Sequence, residues 1–272
     1  MKDTKSSGSV KKAPAKTVAK ATNPKTVVKP KPKNQTSKTV AKDKATVLAL
    51  KTGKNVVKGT KTADKVESPK VDVPKLKKGD YFKFGSYYQK SGNKKTPIEW
   101  LVLKKSGAKM LLISRYGLDY KKYHNEYVKD ITWENCDLRK WLNEEFLRNA
   151  FTESEQKKIM VTRLVNDSHP ESGTIGGNST ADRVFCLSRA EVESLFKDDE
   201  ARKCALTQYA VEKKVFQDCS SLVDGKVTCY WWLRSPGYHR ETASNVSPFG
   251  SLFYNSVNNG SIVVRPALWV EL

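Results

Sequence analysis

No aromatic residue, arginine or histidine occurs before Tyr81 in this chain of 272 residues, so any hydrophobic core must be built from the later part of the sequence. Residues 1–74 carry 19 lysines against five acidic residues, a net +14 of the chain's total of +21. With scattered prolines, few leucines and like charge throughout, this stretch offers too little apolar area to offset the entropy of ordering it. It is expected to be a disordered tail. The remaining residues, 75–272, are enough for one domain and carry the balance of about +7.

Within the tail a short unit recurs, Lys16 to Lys20, Lys25 to Lys29, Lys38 to Lys42 and more loosely Lys54 to Lys58, at irregular spacing. In composition it resembles the Lys/Ala/Pro-rich tails of linker histones and bacterial histone-like proteins. Lysines such as Lys11, Lys12, Lys16, Lys20, Lys25, Lys29, Lys31 and Lys33 supply sequence-indifferent attraction to phosphates, so non-specific nucleic acid or another polyanion is one expected partner. A solubilising spacer kept extended by self-repulsion accounts for the same composition. No arginine or stacking ring accompanies the lysines to favour the first reading.

Met1 to Gly8 is followed by no apolar segment of the kind a secretory signal needs. Apolar runs such as Trp100 to Leu103 and Met110 to Ile113 have the length of core strands, far short of a membrane span. A soluble, cytoplasmic protein is expected. Five scattered cysteines lacking Cys-x-x-Cys spacing fit that setting as small buried hydrophobes. Cys219 and Cys229 are placed to flank a hairpin and to pair under oxidation.

Alternation of apolar and polar residues predicts a strand at Tyr81–Phe84, and Ile98–Leu103 and Lys109–Ser114 read as further strands, with turns at Gly92-Asn93 and Gly107: an opening antiparallel meander. Leu138, Trp141, Leu142 and Phe146 share one face of a helix expected over about 134–150. Capping boxes at Thr152/Glu155 and Ser188/Glu191 start two more helices, and a third is expected from Asp199 to Lys214. Residues 166–182 read as a surface loop whose Asn166, Asp167 and Glu171 are too sparse an oxygen set for calcium. At the end of the chain, strands are expected at Tyr230–Leu233, Ser251–Val257, Ile262–Val264 and Ala267–Val270. Pro248 to Gly250 turns the chain, Asn259-Gly260 closes a hairpin, and Pro266 sits at a bulge or edge.

Two apolar blocks, Trp231-Trp232-Leu233-Arg234-Ser235-Pro236-Gly237 and Val264-Arg265-Pro266-Ala267-Leu268-Trp269, bracket a segment rich in Ser, Asn, Tyr and Phe. Antibody loops use such residues, because Tyr and Phe give contact area at low entropy cost and Ser and Asn give adjustable hydrogen bonds. They are also ordinary turn residues. The blocks, with Phe84-Gly85, Pro97 to Trp100, Leu111 to Ser114, Thr132 to Leu142 and Asp182 to Ser188, resemble a bacterial domain family of unknown function. Through it the chain resembles the C-type-lectin-like fold shared by formylglycine-generating enzymes and by the variable proteins of diversity-generating retroelements. The resemblance implies an α+β C-type-lectin-like domain over 75–272, with antiparallel sheets, intervening helices and long loops. It further implies a ligand-binding scaffold with contact residues near the C-terminus. In that reading Trp231, Trp232, Arg234, Arg265 and Trp269 are scaffold. The contact residues are His239, Arg240, Asn245, Phe249 and Phe253, followed by Tyr254, Asn255, Asn258 and Asn259.

Chemistry for catalysis is hard to assemble from three separated histidines with no nucleophile elbow, so no catalytic residue, metal or cofactor is expected. Formylglycine-generating enzymes use two cysteines in their C-terminal part, whereas here no cysteine comes after Cys229. The calcium motifs of sugar-binding lectins are missing too. Arg234 and Arg265 either clamp a ligand carboxylate or satisfy backbone carbonyls, the second being favoured. The expected function is a non-enzymatic module recognising a protein or small ligand. The alternatives are a formylglycine-generating-type oxidase and a histone-tail-like nucleoid-associated protein.

Overall fold

The computed structural model describes residues 75–92, 94–213 and 221–272. The lysine-rich tail, with every lysine assigned above to polyanion contact, and Cys219 with its proposed pairing lie outside the described residues.

Strands β1 (Tyr81–Tyr88), β2 (Lys95–Ser106) and β3 (Lys109–Ser114) form the expected antiparallel meander, with Gly107 at φ +60 turning β2 into β3. Register slips in β1 between Lys83 and Ser86. There Gly85 has φ +65, and a Cβ would stand 2.5 Å from the Phe151 ring. Only glycine meets both demands, so the bulge lets β1 pass close to the helical layer. After β4 (Asp119–Tyr120) come a 3-10 turn (Trp133–Asn135), α1 (Asp137–Trp141), a π-turn (Leu142–Phe146) and α2 (Leu147–Ala150), together occupying the expected helical stretch. The Asn143 amide donates to the Arg139 carbonyl at 3.0 Å and to the Val184 carbonyl at 2.9 Å. A side chain inserted into the helical ladder in this way accounts for the π-turn.

Next come α3 (Glu153–Lys158), β5 (Thr162–Leu164), β6 (Thr180–Asp182), α4 (Arg189–Leu195), α5 (Asp199–Arg202) and α6 (Gln208–Glu212). Both capping boxes are present with reciprocal bonds, Thr152 with Glu155 and Ser188 with Glu191. The single helix expected over 199–214 is instead two. Ala205 and Leu206 between them are drawn into bridges with Thr228 and Gly117, and Thr207 caps the second helix by accepting from the Ala210 amide. The chain ends with β7 (Leu222–Val223), β8 (Lys226–Val227), β9 (Trp231–Pro236), β10 (Thr242–Val246), β11 (Leu252–Ser256), β12 (Val263–Val264) and β13 (Ala267–Glu271).

Two main sheets result, β1-β2-β3-β13 and β11-β10-β9-β12-β4. The first unites the beginning and end of the described chain, since β13 runs antiparallel to β3 from Ala267/Ile113 to Glu271/Lys109. Three terminal expectations change. β10 is a strand inside the second sheet, between β9 and β11. Asn259-Gly260 closes no hairpin, because β11 is an edge strand and the chain recrosses to place β12 parallel to β9. β12 and β13 belong to different sheets, so Arg265-Pro266 is the crossing between layers and not a bulge within one.

Trp100, Trp133, Trp231 and Trp232 are fully buried. Each indole N–H is nonetheless satisfied, by Phe84 O at 2.7 Å, an Asp182 carboxylate oxygen at 2.9 Å, Arg202 O at 3.2 Å and Lys121 O at 2.8 Å respectively. That is the condition for burying so polar an aromatic. Trp269, read as scaffold from its block, is half-buried against the core. Among the described residues no helix is long and apolar enough to cross a membrane.

Burial pushes the Cys136 thiol up to about 12, and pushes the Cys186 thiol and the Tyr123 phenol up as well. Above about pH 8.5 an unfolded chain loses thiol protons that the folded one keeps, so stability falls as pH rises. Each such group costs about 1.4 kcal/mol per pH unit once its unfolded counterpart is ionised. Urea unfolding at stepped pH between 9 and 10.5 is expected to show a shallower decline in Cys186→Ala than in the wild type. Parallel slopes in the two proteins would contradict the burial.

Candidate functional site

The β9–β10 turn carries Tyr238 and His239, and the edge strand β11 carries Phe253 and Tyr254. These rings touch in sequence. Phe253 and Tyr254 lie nearly parallel, 7° apart with centroids at 5.4 Å, and Tyr254 stacks on Tyr238 at 6.0 Å. His239 meets the Tyr254 ring edge-on at 5.4 Å. The strip continues to Tyr230, 6.5 Å from Phe253, and to the buried His169, 5.7 Å from Tyr238. Tyr238 is 42% exposed and Phe253 48%, while Phe249 on the β10–β11 turn is 55% exposed. Aromatic rings left open to water in a continuous strip form a patch that folding alone does not call for.

Three residues of the expected contact set, His239, Phe249 and Phe253, therefore reach solvent as exposed rings and Tyr238 joins them, while Tyr254 and Tyr230 are half-buried beside them. The others are placed differently. Asn245 is fully buried within β10, its amide N and O both without a hydrogen-bond partner, because both faces of the strand are covered from Ala243 to Val246. Arg240 is held by Asp130, Nε to Oδ1 at 2.6 Å, while the Asp130 amide donates to the Arg240 carbonyl at 2.8 Å. The hydrogen-bonded guanidinium keeps the Asp130 carboxyl below its ordinary value. The remaining three asparagines are half-buried and knit their own turn. Asn259 donates to Asn255 at 3.4 Å and accepts from the Ser261 amide at 2.8 Å, and Asn258 accepts from the Ser256 hydroxyl at 2.8 Å.

Both bracketing arginines are nearly buried and face inward. Arg234 donates to both carboxylate oxygens of Glu191, to the Cys186 carbonyl at 3.2 Å and to the Val165 carbonyl at 3.3 Å. Arg265 donates to the Ser114 carbonyl at 3.0 Å and the Arg202 carbonyl at 3.2 Å, with its guanidinium 4.9 Å from the Trp231 ring centre. Neither is open to a ligand carboxylate. A third tie joins two more motifs: buried Asp182 accepts from Trp133 at 2.9 Å, Thr180 at 2.8 Å and Arg139 at 2.7 Å. Phe249 is fixed in its turn by Gly250, whose φ of +89 and contact with the Asp199 carbonyl leave no room for a side chain.

Among the described residues no group of three His, Cys, Asp or Glu side chains is placed to hold a metal. In the 166–182 loop Asn166 is buried and donates to Asn178 O at 2.7 Å, while Asp167 and Glu171 are exposed. Burial and the nearby Arg189 lower the basicity of His169, with Glu171 opposing them. The neighbour of Cys229 is Cys204, which no spacing rule singles out. The Cys229 thiol donates to the Cys204 carbonyl at 3.2 Å. Burial would raise the Cys204 thiol, but the adjacent Cys229 thiol and the Arg265 guanidinium hold it below its ordinary value.

The structure thus defines a two-sheet α+β domain with an exposed aromatic strip on the edge of its second sheet. A family model, that of a domain of unknown function (DUF6273), matches residues 107–272, and the chain belongs to this family. The match begins in the β2–β3 turn and takes in the strip and both bracketing arginines. No curated protein and no solved structure matches the chain.

Arg234 is buried while its partner Glu191 is 32% exposed, so losing the arginine removes the hydrogen bonds that tie β9 to α4 and to the Cys186 and Val165 carbonyls. Arg234→Met is expected to lower unfolding free energy by about 3 kcal/mol, and Arg234→Met/Glu191→Gln to lose less than the sum of the single changes. Urea denaturation checks both. A loss under about 1 kcal/mol for Arg234→Met would mean that the arginine does not fix β9.

Proposed function

We propose that this domain is a non-enzymatic recognition module that binds a protein or small ligand on the strip formed by Tyr238, His239, Phe253 and Tyr254, with Phe249 beside it. The observation that carries this reading is the division of labour in the C-terminal region. Arg234, Arg265, Trp231 and Trp232 are buried and committed to internal partners, whereas the rings between them stack on one another, with Tyr238, His239 and Phe253 exposed and Tyr254 half-buried among them. Exposed, preordered aromatics give contact area with little further entropy loss, which suits a binding surface.

The finer fold reading, a C-type-lectin-like domain, is part of the proposal. It is supported by the meeting of β1 and β13 in one sheet and by the second sheet that carries the strip. A cytoplasmic setting and polyanion contact by the lysine tail rest on sequence composition. Diversification by a retroelement belongs to the same reading, and a near-identical template repeat beside the gene, differing at adenines, is its signature. The oxidase alternative gains one observation, the adjacent Cys204 and Cys229. Both thiols are buried, and neither lines the clefts flanked by Tyr116 and by Trp141.

Selection of displayed random peptides on the wild-type domain tests the reading. The selected peptides are expected to lose at least about 30-fold in affinity for Phe253→Ala or Tyr254→Ala, the loss typical of interface hot spots. The melting temperatures of both variants should stay near that of the wild type. Peptides that bind both variants as tightly as the wild type would sink it.

A further inference from the structure

At the opposite edge of the second sheet from β11, three residues before β4, Tyr116 forms one wall of a cleft of about 720 Å³. Its other walls come from β1 and the turn after it, the start of β2, the start of α6 and strand β8. The size lies within the roughly 300–1,000 Å³ of small-molecule sites. Much of the lining is apolar: Leu206 is buried at the α6 wall, Pro97 comes from β2, and Val211 and Val227 face the opening at 52% and 40% exposed. Two valines that line one cleft and stay open to water are apolar area that a bound apolar body would cover.

Charge around the opening is of one sign. Lys83, Lys90 and Lys226 line the cleft, and the one acidic lining residue, Glu99, is already paired with Arg115 at 3.1 Å. Lys83 and Lys90 pair with no carboxylate among the described residues. The Lys226 ammonium is held at the wall, 3.1 Å from the Tyr116 hydroxyl and 4.2 Å from its ring centre. A lysine-rich occupant, including this chain's own tail, is repelled by that arrangement, whereas an anion is attracted.

We propose that this cleft binds a small amphipathic carboxylate, the apolar body lying between Leu206, Val211 and Val227 and the carboxylate meeting Lys226 and Lys90. The site is independent of the aromatic strip, since no residue of the strip lines it.

Titration calorimetry of the full-length chain with octanoate, and with octan-1-ol as its neutral counterpart, tests the assignment. Octanoate is expected to bind saturably at one site, with octan-1-ol at least about tenfold weaker for want of the charge. Val211→Asp, a change at a surface position, is expected to abolish octanoate binding. Lys226→Gln should weaken octanoate several-fold and leave octan-1-ol unchanged, and Phe253→Ala should leave both ligands unchanged. The proposal is overturned by absence of saturable octanoate binding, by equal affinity for the alcohol, or by loss of binding in Phe253→Ala. Undiminished binding by a folded Val211→Asp overturns it too. Should Val211→Asp fail to fold, unchanged octanoate affinity in Lys226→Gln overturns it alone.

Discussion

The pairing of Arg234 with Glu191 determines how the C-terminal half is held. A guanidinium removed from water needs acceptors for its N–H groups, and the two terminal nitrogens of Arg234 find them on Glu191, Cys186 and Val165, at three separate places in the chain, while its Nε is buried without a partner. Glu191 also closes the capping box of α4 by accepting from the Ser188 amide at 2.8 Å. One carboxylate therefore fixes a helix start and a central strand together. Arg265 does the corresponding work at the crossing between sheets, where it ties the end of β3 to the end of α5 through carbonyl oxygens. Because the strands on both sides of the variable-looking segment are secured internally, its exposed rings have no structural task that solvent exposure would compromise.

That freedom is narrower than composition suggests. Of the polar residues in the segment, Ser244 donates to the Pro236 carbonyl at 2.6 Å and the paired asparagines brace the turn after β11. What is left for an external partner is chiefly aromatic. Under the proposed recognition role, such a surface would select by shape and ring stacking more than by a hydrogen-bond code, with His239 and the Tyr hydroxyls as its polar points.

Local signals were legible where local chemistry decides the outcome. β3 has the bounds expected of its apolar run, and Thr152 and Ser188 cap helices because the hydroxyl and the glutamate three residues on each accept from the other's backbone amide. Tertiary placement was not legible in the same way. Thr242 to Val246 reads as turn chemistry, yet it forms a strand because β9 and β11 supply ladder partners on both sides. Asn259-Gly260 carries a hairpin signal, but the slot beside β9 lies across the sheet from β11, so the chain turns there and crosses. Of the site, the aromatic members and the inward role of the arginines could be read from the segment itself. The burial of Asn245, the capture of Arg240 by Asp130 and the contact of Cys204 with Cys229 depend on residues brought together from distant positions, and no spacing reveals them.

The central claim is that scaffold and surface are separate sets of side chains, and randomising each set measures it directly. In one library His239, Phe249, Phe253 and Tyr254 are varied together; in another, Trp232, Arg234 and Arg265. The fraction of clones that resist proteolysis is then compared. Surface substitutions usually shift stability by about 0.5 kcal/mol or less, while loss of a buried Trp costs about 3–5 kcal/mol. Most clones of the first library should remain folded and nearly all of the second should be cleaved. Comparable losses in the two libraries would show that the aromatic strip is part of the core, and would contradict the separation of surface from scaffold.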